Sequence, residues 1–190
     1  MKLFKHWFAK LFFALILLCI ISFAGSAQEK LRVIVAGLNH DHVNNILHAY
    51  KDGRIIIIGI AEPNKQLWKK FGADYQLPDS LFSDNLETRV KLKKPDAVLG
   101  YNEVSGHLSV VQVCAPLHIP VMVEKPLAAT LQQAQEIEQL SKKYDDMVLV
   151  NYETTWYPSY HDVYNIIESD SIGKIKKMVF HDGHQGPKEI

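Results

Sequence analysis

The sequence predicts an α/β fold, a doubly wound parallel sheet with helices on both faces. Three observations predict it. Short β-branched apolar runs alternate with amphipathic segments from Leu31 onward. The runs are almost continuously apolar, as strands buried on both faces are, rather than apolar at every second residue. The composition, 47% hydrophobic with 21 basic and 21 acidic residues in 190, excludes a disordered chain, and 10 Gly and 8 Pro exclude a collagen-like one. Alternation of this kind builds right-handed βαβ units.

Taken in order, LRVIVAG (31–37) is the first strand. HVNNILHAYKD follows as a helix with an apolar stripe at Val43, Ile46, Leu47 and Tyr50, and Gly53 ends it. RIIIIGIAE is the second strand, and NKQLWKKFG a short helix expected to close at Gly72. Residues 73–84 read as irregular, with Pro78 and Asp79 as turn residues. NLETRVKLKK is helical and PDAVLGY is the third strand. SGHLSVVQVCAPLH is a helix with Ser105 as its expected cap, and IPVMVEK is the fourth strand. Thr130 opens a helix with a stripe at Leu131, Ala134, Ile137 and Leu140, and DMVLVNY is the fifth strand.

Residues 1–27 read as an address. Lys2, Lys5 and Lys10 precede the apolar LFFALILLCIISFA, and Gly25-Ser26-Ala27 offers a cleavage site after Ala27, the order of a secretory signal peptide. The apolar stretch is shorter than the ~20 residues that span a bilayer. Contact with a membrane is therefore expected only through an uncleaved leader, and the destination is periplasmic or extracellular. Cys19 lies inside the apolar stretch rather than after a small residue, which argues against lipidation. Without the leader the chain keeps one thiol, Cys114, so its core must hold without a disulfide. It also keeps 18 basic and 21 acidic groups, a net charge of −3, which offers nucleic acid no attraction.

In a doubly wound sheet, ligands sit at the carboxyl ends of the strands, where the strand order reverses. The candidate residues are then Gly37 to His42, Glu62, Tyr101 to Glu103, Glu124 to Pro126, and Asn151 onward. Gly37, Leu38, Asn39, His40 and His42 make the first turn. A dinucleotide fingerprint there would read G-x-G-x-x-G, and Asn39 and His42 replace its second and third glycines. Main-chain N–H groups where this turn enters the helix would still attract an anion. Glu62, 25 positions past Gly37, suits a ribose and repels a 2′-phosphate, so NAD is expected over NADP. Lys125 after the fourth strand is placed to hold or polarise a substrate oxygen. His40 and His42 invite a metal reading, but no second cluster with ligand spacing accompanies them, and no metal is expected.

Several segments together resemble the N-terminal part of the Gfo/Idh/MocA oxidoreductases: LRVIVAGLNHDHV, IIGIAEPN, PDAVLGYNEVSGH, VMVEKPLAAT and YPSYHDVYNIIESDSIGKIKKMVF. The resemblance implies a Rossmann-like domain at 28–152 and the start of an incomplete α/β second domain at 153–190. It implies NAD(P)-dependent hydride transfer on a sugar, polyol or related compound. Lys125 matches the family's active-site lysine, Glu62 its ribose acid and His107 a family histidine. Tyr101-Asn102-Glu103 stands where the family has Thr-Pro-Asn, and Tyr101, Asn102 and Glu124 join the expected cofactor contacts. Relatives of this family generally continue well past 190 residues. A shortened chain is therefore expected, with a homo-oligomer in the longer form. KKMVF reads as the opening strand of the second domain, and Trp156, Tyr157 and Tyr160 as hinge packing. Two other readings stand beside hydride transfer: a non-catalytic nucleotide- or sugar-binding remnant, and NAD-assisted cleavage of glycosides by a hydrolase or lyase.

Overall fold

The computed structural model describes residues 29–179. The leader expected at 1–27 and the residues after Val179 lie outside that range. Among the described residues six strands form one parallel sheet: β1 (Arg32–Ala36), β2 (Ile56–Ala61), β3 (Phe82–Ser83), β4 (Ala97–Gly100), β5 (Val121–Glu124) and β6 (Val148–Asn151). Their order, β3-β2-β1-β4-β5-β6, reverses direction between β1 and β4. Side chains of β1 alternate between two cores. Val33 and Val35 pack with Leu47, Phe71 and Leu99 on one face. Ile34 and Ala36 pack with Val98, Val110, Cys114 and Ile137 on the other.

The helices are α1 (Val43–Lys51), α2 (Lys65–Tyr75), α3 (Leu86–Lys93), α4 (His107–Cys114), α5 (Leu131–Tyr144) and α6 (Pro158–Glu168). Three N-termini are closed by side chains: Asn64 accepts from the Gln66 N–H, Asn85 from Thr88 and Thr130 from Gln133. Each satisfies a donor that the first helical turn leaves open. Burial of Cys114 pushes its thiol up to about 12. Among the described residues, no helix is long and apolar enough to cross a membrane.

Four local expectations change. Gly72 does not end α2; the helix runs on to Tyr75, and Gln76 takes the left-handed turn with its N–H on the Gly72 carbonyl. Residues 82–83, read as irregular, extend the sheet beyond β2 as β3, pairing Ile60 with Phe82 and Ala61 with Ser83. Ser105 lies inside a 3-10 turn, Val104–Gly106, and Gly106 precedes α4 without a side-chain cap. Leu131 is 75% exposed, because the buried stripe of α5 centres on Ile137.

The segment after β6 differs from the rest. α6 has no buried residue, and Trp156, Tyr157 and Tyr160 are exposed rather than packed in a hinge. Residues 174–179 carry no strand, since no partner strand lies beside them among the described residues.

Candidate functional site

Two strand ends and two turns enclose a cleft of about 600 Å³ at the reversal point between β1 and β4. Gly37, Asn39, Glu62, Asn64, Asn102 and Ser109 contribute to its wall. Gly37 turns the chain out of β1 with φ +84, and a Cβ there would lie 2.4 Å from the Asn102 Cα. Both the left-handed backbone and the close approach require glycine. Gly37 also donates its N–H to the Ala61 carbonyl at 2.8 Å, which ties the turn to the end of β2.

Glu62 is 2% exposed. One carboxylate oxygen accepts the Leu38 N–H at 2.8 Å and the other the Asn64 N–H at 2.7 Å, while the Trp68 indole donates to its carbonyl. The carboxylate therefore braces the β1 and β2 turns against each other. Each oxygen keeps a second lone pair, and Glu62 still lines the cleft. Asn64 and Asp84 stand beside it. Neither is a candidate in the sequence: Asn64 only opens the segment read as a helix, and Asp84 falls in the stretch read as irregular.

The first turn does not present the anion cradle expected of it. The N–H groups of Asn39 and His40 both donate to the Tyr101 carbonyl at 3.1 Å, and the His42 N–H donates to His40 Nδ1 at 3.2 Å. Leu38 and Tyr101 are buried, and both belong to the core on the α1 face. They shape the turn from beneath, and neither contributes to the cleft wall. Asn102 does reach it: its Nδ2 lies against Gly106, and its Oδ1, on the Gly100 side, is buried without a hydrogen-bond partner.

The second group of candidates gathers at the ends of β1, β5 and β6. Glu124 is fully buried. Its Oε2 lies 3.1 Å from His42 Nδ1 and 3.9 Å from His40 Nε2. Its Oε1 accepts the Asn151 amide at 2.6 Å. The other nitrogen of His42, Nε2, lies 3.2 Å from the Glu153 carboxylate. Burial holds His40 below the ordinary imidazole value; His42 and Lys125 lower it further, against a rise from Glu124. Burial, with Glu124 beside it, also raises the Tyr101 phenol. Lys125 is exposed just past β5, with its N–H 3.3 Å from Glu124 Oε2. His107 is wholly buried behind this region, its Nδ1 3.1 Å from the Leu127 carbonyl.

Gly37, Glu62 and Lys125 thus share one edge of the sheet. His40, His42, Glu124 and Lys125 form their own group there, and none of them lines the cleft wall.

The strand order, the cleft at its reversal and the glycine turn define a dinucleotide-binding α/β domain. The chain belongs to the Gfo/Idh/MocA oxidoreductase family, whose NAD-binding Rossmann fold matches residues 31–152. An inositol 2-dehydrogenase of Serratia proteamaculans (strain 568) is 25% identical over 151 residues, covering 79% of this chain and 43% of the dehydrogenase. An oxidoreductase from Agrobacterium radiobacter, solved with NAD+, L-tartaric acid and magnesium, superposes with a TM-score of 0.67 at 21% identity. That match covers 76% of this chain and 42% of the other. The apo scyllo-inositol dehydrogenase of Lactobacillus casei gives 0.63 at 13% identity, over 77% and 43%. The chain spans less than half the length of these relatives.

The cleft fits the family's cofactor. It is large enough for a nucleoside, it is closed on one side by a glycine that admits no Cβ, and it holds an orphaned carboxamide oxygen. Its wall carries Glu62, Asp84 and Glu103 and, among the described residues, no Lys or Arg, which suits a ribose diol and opposes a 2′-phosphate.

Proposed function

We propose that the chain is the cofactor half of an oxidoreductase that moves a hydride between NAD and a sugar, polyol or related hydroxy compound. The reading is carried by the cleft at the β1/β4 reversal, where Gly37, Glu62 and Asn102 meet. Glu62 and Asp84 would hold the ribose hydroxyls, with Leu86 and Val110 as the apolar wall for the base. Asn102 and Asn39 would face the diphosphate. NAD, when bound, supplies the hydride acceptor or donor. Lys125, exposed at the end of β5, would donate a hydrogen bond to the reacting oxygen of the substrate and hold it. A sugar-like substrate is supported by the inositol 2-dehydrogenase similarity.

A specific observation favours a second reading, binding without turnover: the Asn39 and His40 N–H groups, which could meet a diphosphate, are spent on Tyr101. One experiment separates the two. The full chain is titrated with NADH and NADPH while Trp fluorescence is followed, since Trp68 touches Glu62; a panel of sugars, polyols and glycosides is then screened for NADH formation. Saturable NADH binding, with NADPH weaker, supports the cofactor assignment. Turnover selects the first reading, binding alone selects the second, and no binding of either nucleotide contradicts both.

The leader-like residues 1–27 support export to the periplasm or outside, with cleavage after Ala27. Intact-mass measurement of the protein recovered from each compartment tests it. The exposed apolar side chains of α6 support association of copies in a longer form, which light scattering reads directly.

A further inference from the structure

We propose that His40, His42 and Glu124 form a site for a divalent metal ion of the zinc class, at the β5 end of the crevice and apart from the nucleotide cleft. One ligand atom from each lies within 4.8 Å of the others. Bonds of about 2.0–2.1 Å at tetrahedral angles place neighbouring ligand atoms about 3.3 Å apart. His42 Nδ1 and Glu124 Oε2 stand at 3.1 Å, and His40 Nε2 and Glu124 Oε2 at 3.9 Å. The pair meets that spacing already, and the third ligand, within 4.8 Å of the others, closes by a turn of the His40 side chain. Two imidazoles with one carboxylate, leaving a position open, is a donor set that zinc takes.

The surroundings are those of a metal site as well. A metal-bound imidazole keeps its proton on the far nitrogen, where a carboxylate or carbonyl receives it. For His42 that nitrogen is Nε2, and Glu153 waits 3.2 Å away. A ligating carboxylate is held in turn by a hydrogen bond; for Glu124 this is the Asn151 amide on Oε1, while Oε2, with a longer contact from the Lys125 N–H, keeps a lone pair for the metal. Glu124 is fully buried, and its ion-pair partners among the described residues are the two imidazoles, with no Lys or Arg in range. A cation would complete the pairing that a buried charge requires. His40 is the arm that closes the site. Its Nδ1 accepts the His42 N–H, and ligation through Nε2 moves its own proton to Nδ1, so that contact opens. His42 and Glu124 are the pre-set half.

The site stands whether or not NAD binds, and its test uses no nucleotide. The chelator-stripped full chain is titrated with Co2+, followed by visible absorption and by metal analysis after dialysis, with Zn2+ as competitor. The expected result is one ion per chain, a visible band of cobalt on nitrogen ligands, and displacement by zinc. H42A and E124Q should each lose the band, E153Q should weaken binding about tenfold or more through the His42 proton, and H161A, remote on α6, should match the parent. Circular dichroism confirms that each variant folds. On the unmodified chain, Co2+ should shift and broaden the ring protons of His40 and His42 in NMR spectra. Absence of a saturable band, an unchanged band in H42A and E124Q, or ring shifts confined to other histidines would overturn the site.

Discussion

Glu62 and Glu124 invite comparison: both end a strand, both are buried, and both face the same edge of the sheet, yet they are satisfied in different ways. Glu62 receives two main-chain N–H groups from the turns it joins. Glu124 meets mainly side chains, the His42 imidazole and the Asn151 carboxamide with His40 nearby, beside one longer N–H contact from Lys125. Main-chain donors are fixed by the fold, whereas side-chain partners can turn away or be replaced by a ligand. The difference makes Glu62 first a brace between two turns and leaves the side-chain partners of Glu124 exchangeable.

The largest effect that sharpens this comparison is at the turn beneath Glu62. Gly37→Ala forces a left-handed backbone on a residue with a Cβ and drives that Cβ into Asn102; about 2–5 kcal/mol of stability should be lost in denaturant unfolding. Glu62→Ala comes next. It leaves the Leu38 and Asn64 N–H groups unpaired and should cost about 2–4 kcal/mol. Glu124→Gln keeps an acceptor for Asn151 and offers His42 Nδ1 a donor, so the same measurement should show a change below about 1 kcal/mol. Equal losses in the two Glu variants would erase the distinction.

The smaller effects are functional. Lys125→Ala should leave stability within about 0.5 kcal/mol, because the side chain is exposed. NADH affinity should also hold, while any hydride transfer falls about 100-fold or more. Asp84→Lys should leave the fold intact and narrow the preference for NADH over NADPH, read as the ratio of their dissociation constants.

Much of this was legible in the sequence. Continuous β-branched runs identify β1, β2, β4 and β5, because a strand buried on both faces has no polar side to interrupt it. Strand ends therefore pointed to Gly37, Glu62, Asn102 and Glu124 without any contact being known. β3 was hidden because two residues cannot show a period. The partnership of His42 with Glu124 was hidden by a separation of 82 residues, a register that only the order of the sheet supplies. The inward turn of the Asn39 and His40 amides was illegible for another reason: backbone donors carry no residue identity, and their target, the Tyr101 carbonyl, is set by the β1–β4 pairing. α6 went unread as a helix, and its amphipathic spacing names a face to be covered and not what covers it.

The nucleotide cleft is the central claim, and the most direct measurement is NMR mapping of main-chain amide shifts as NADH is added to the isotope-labelled chain. Saturable shifts are expected at Gly37, Glu62, Asn64, Asn102, Gly106 and Ser109, with α6 silent. Shifts confined to α6, or none at saturating NADH, would contradict it.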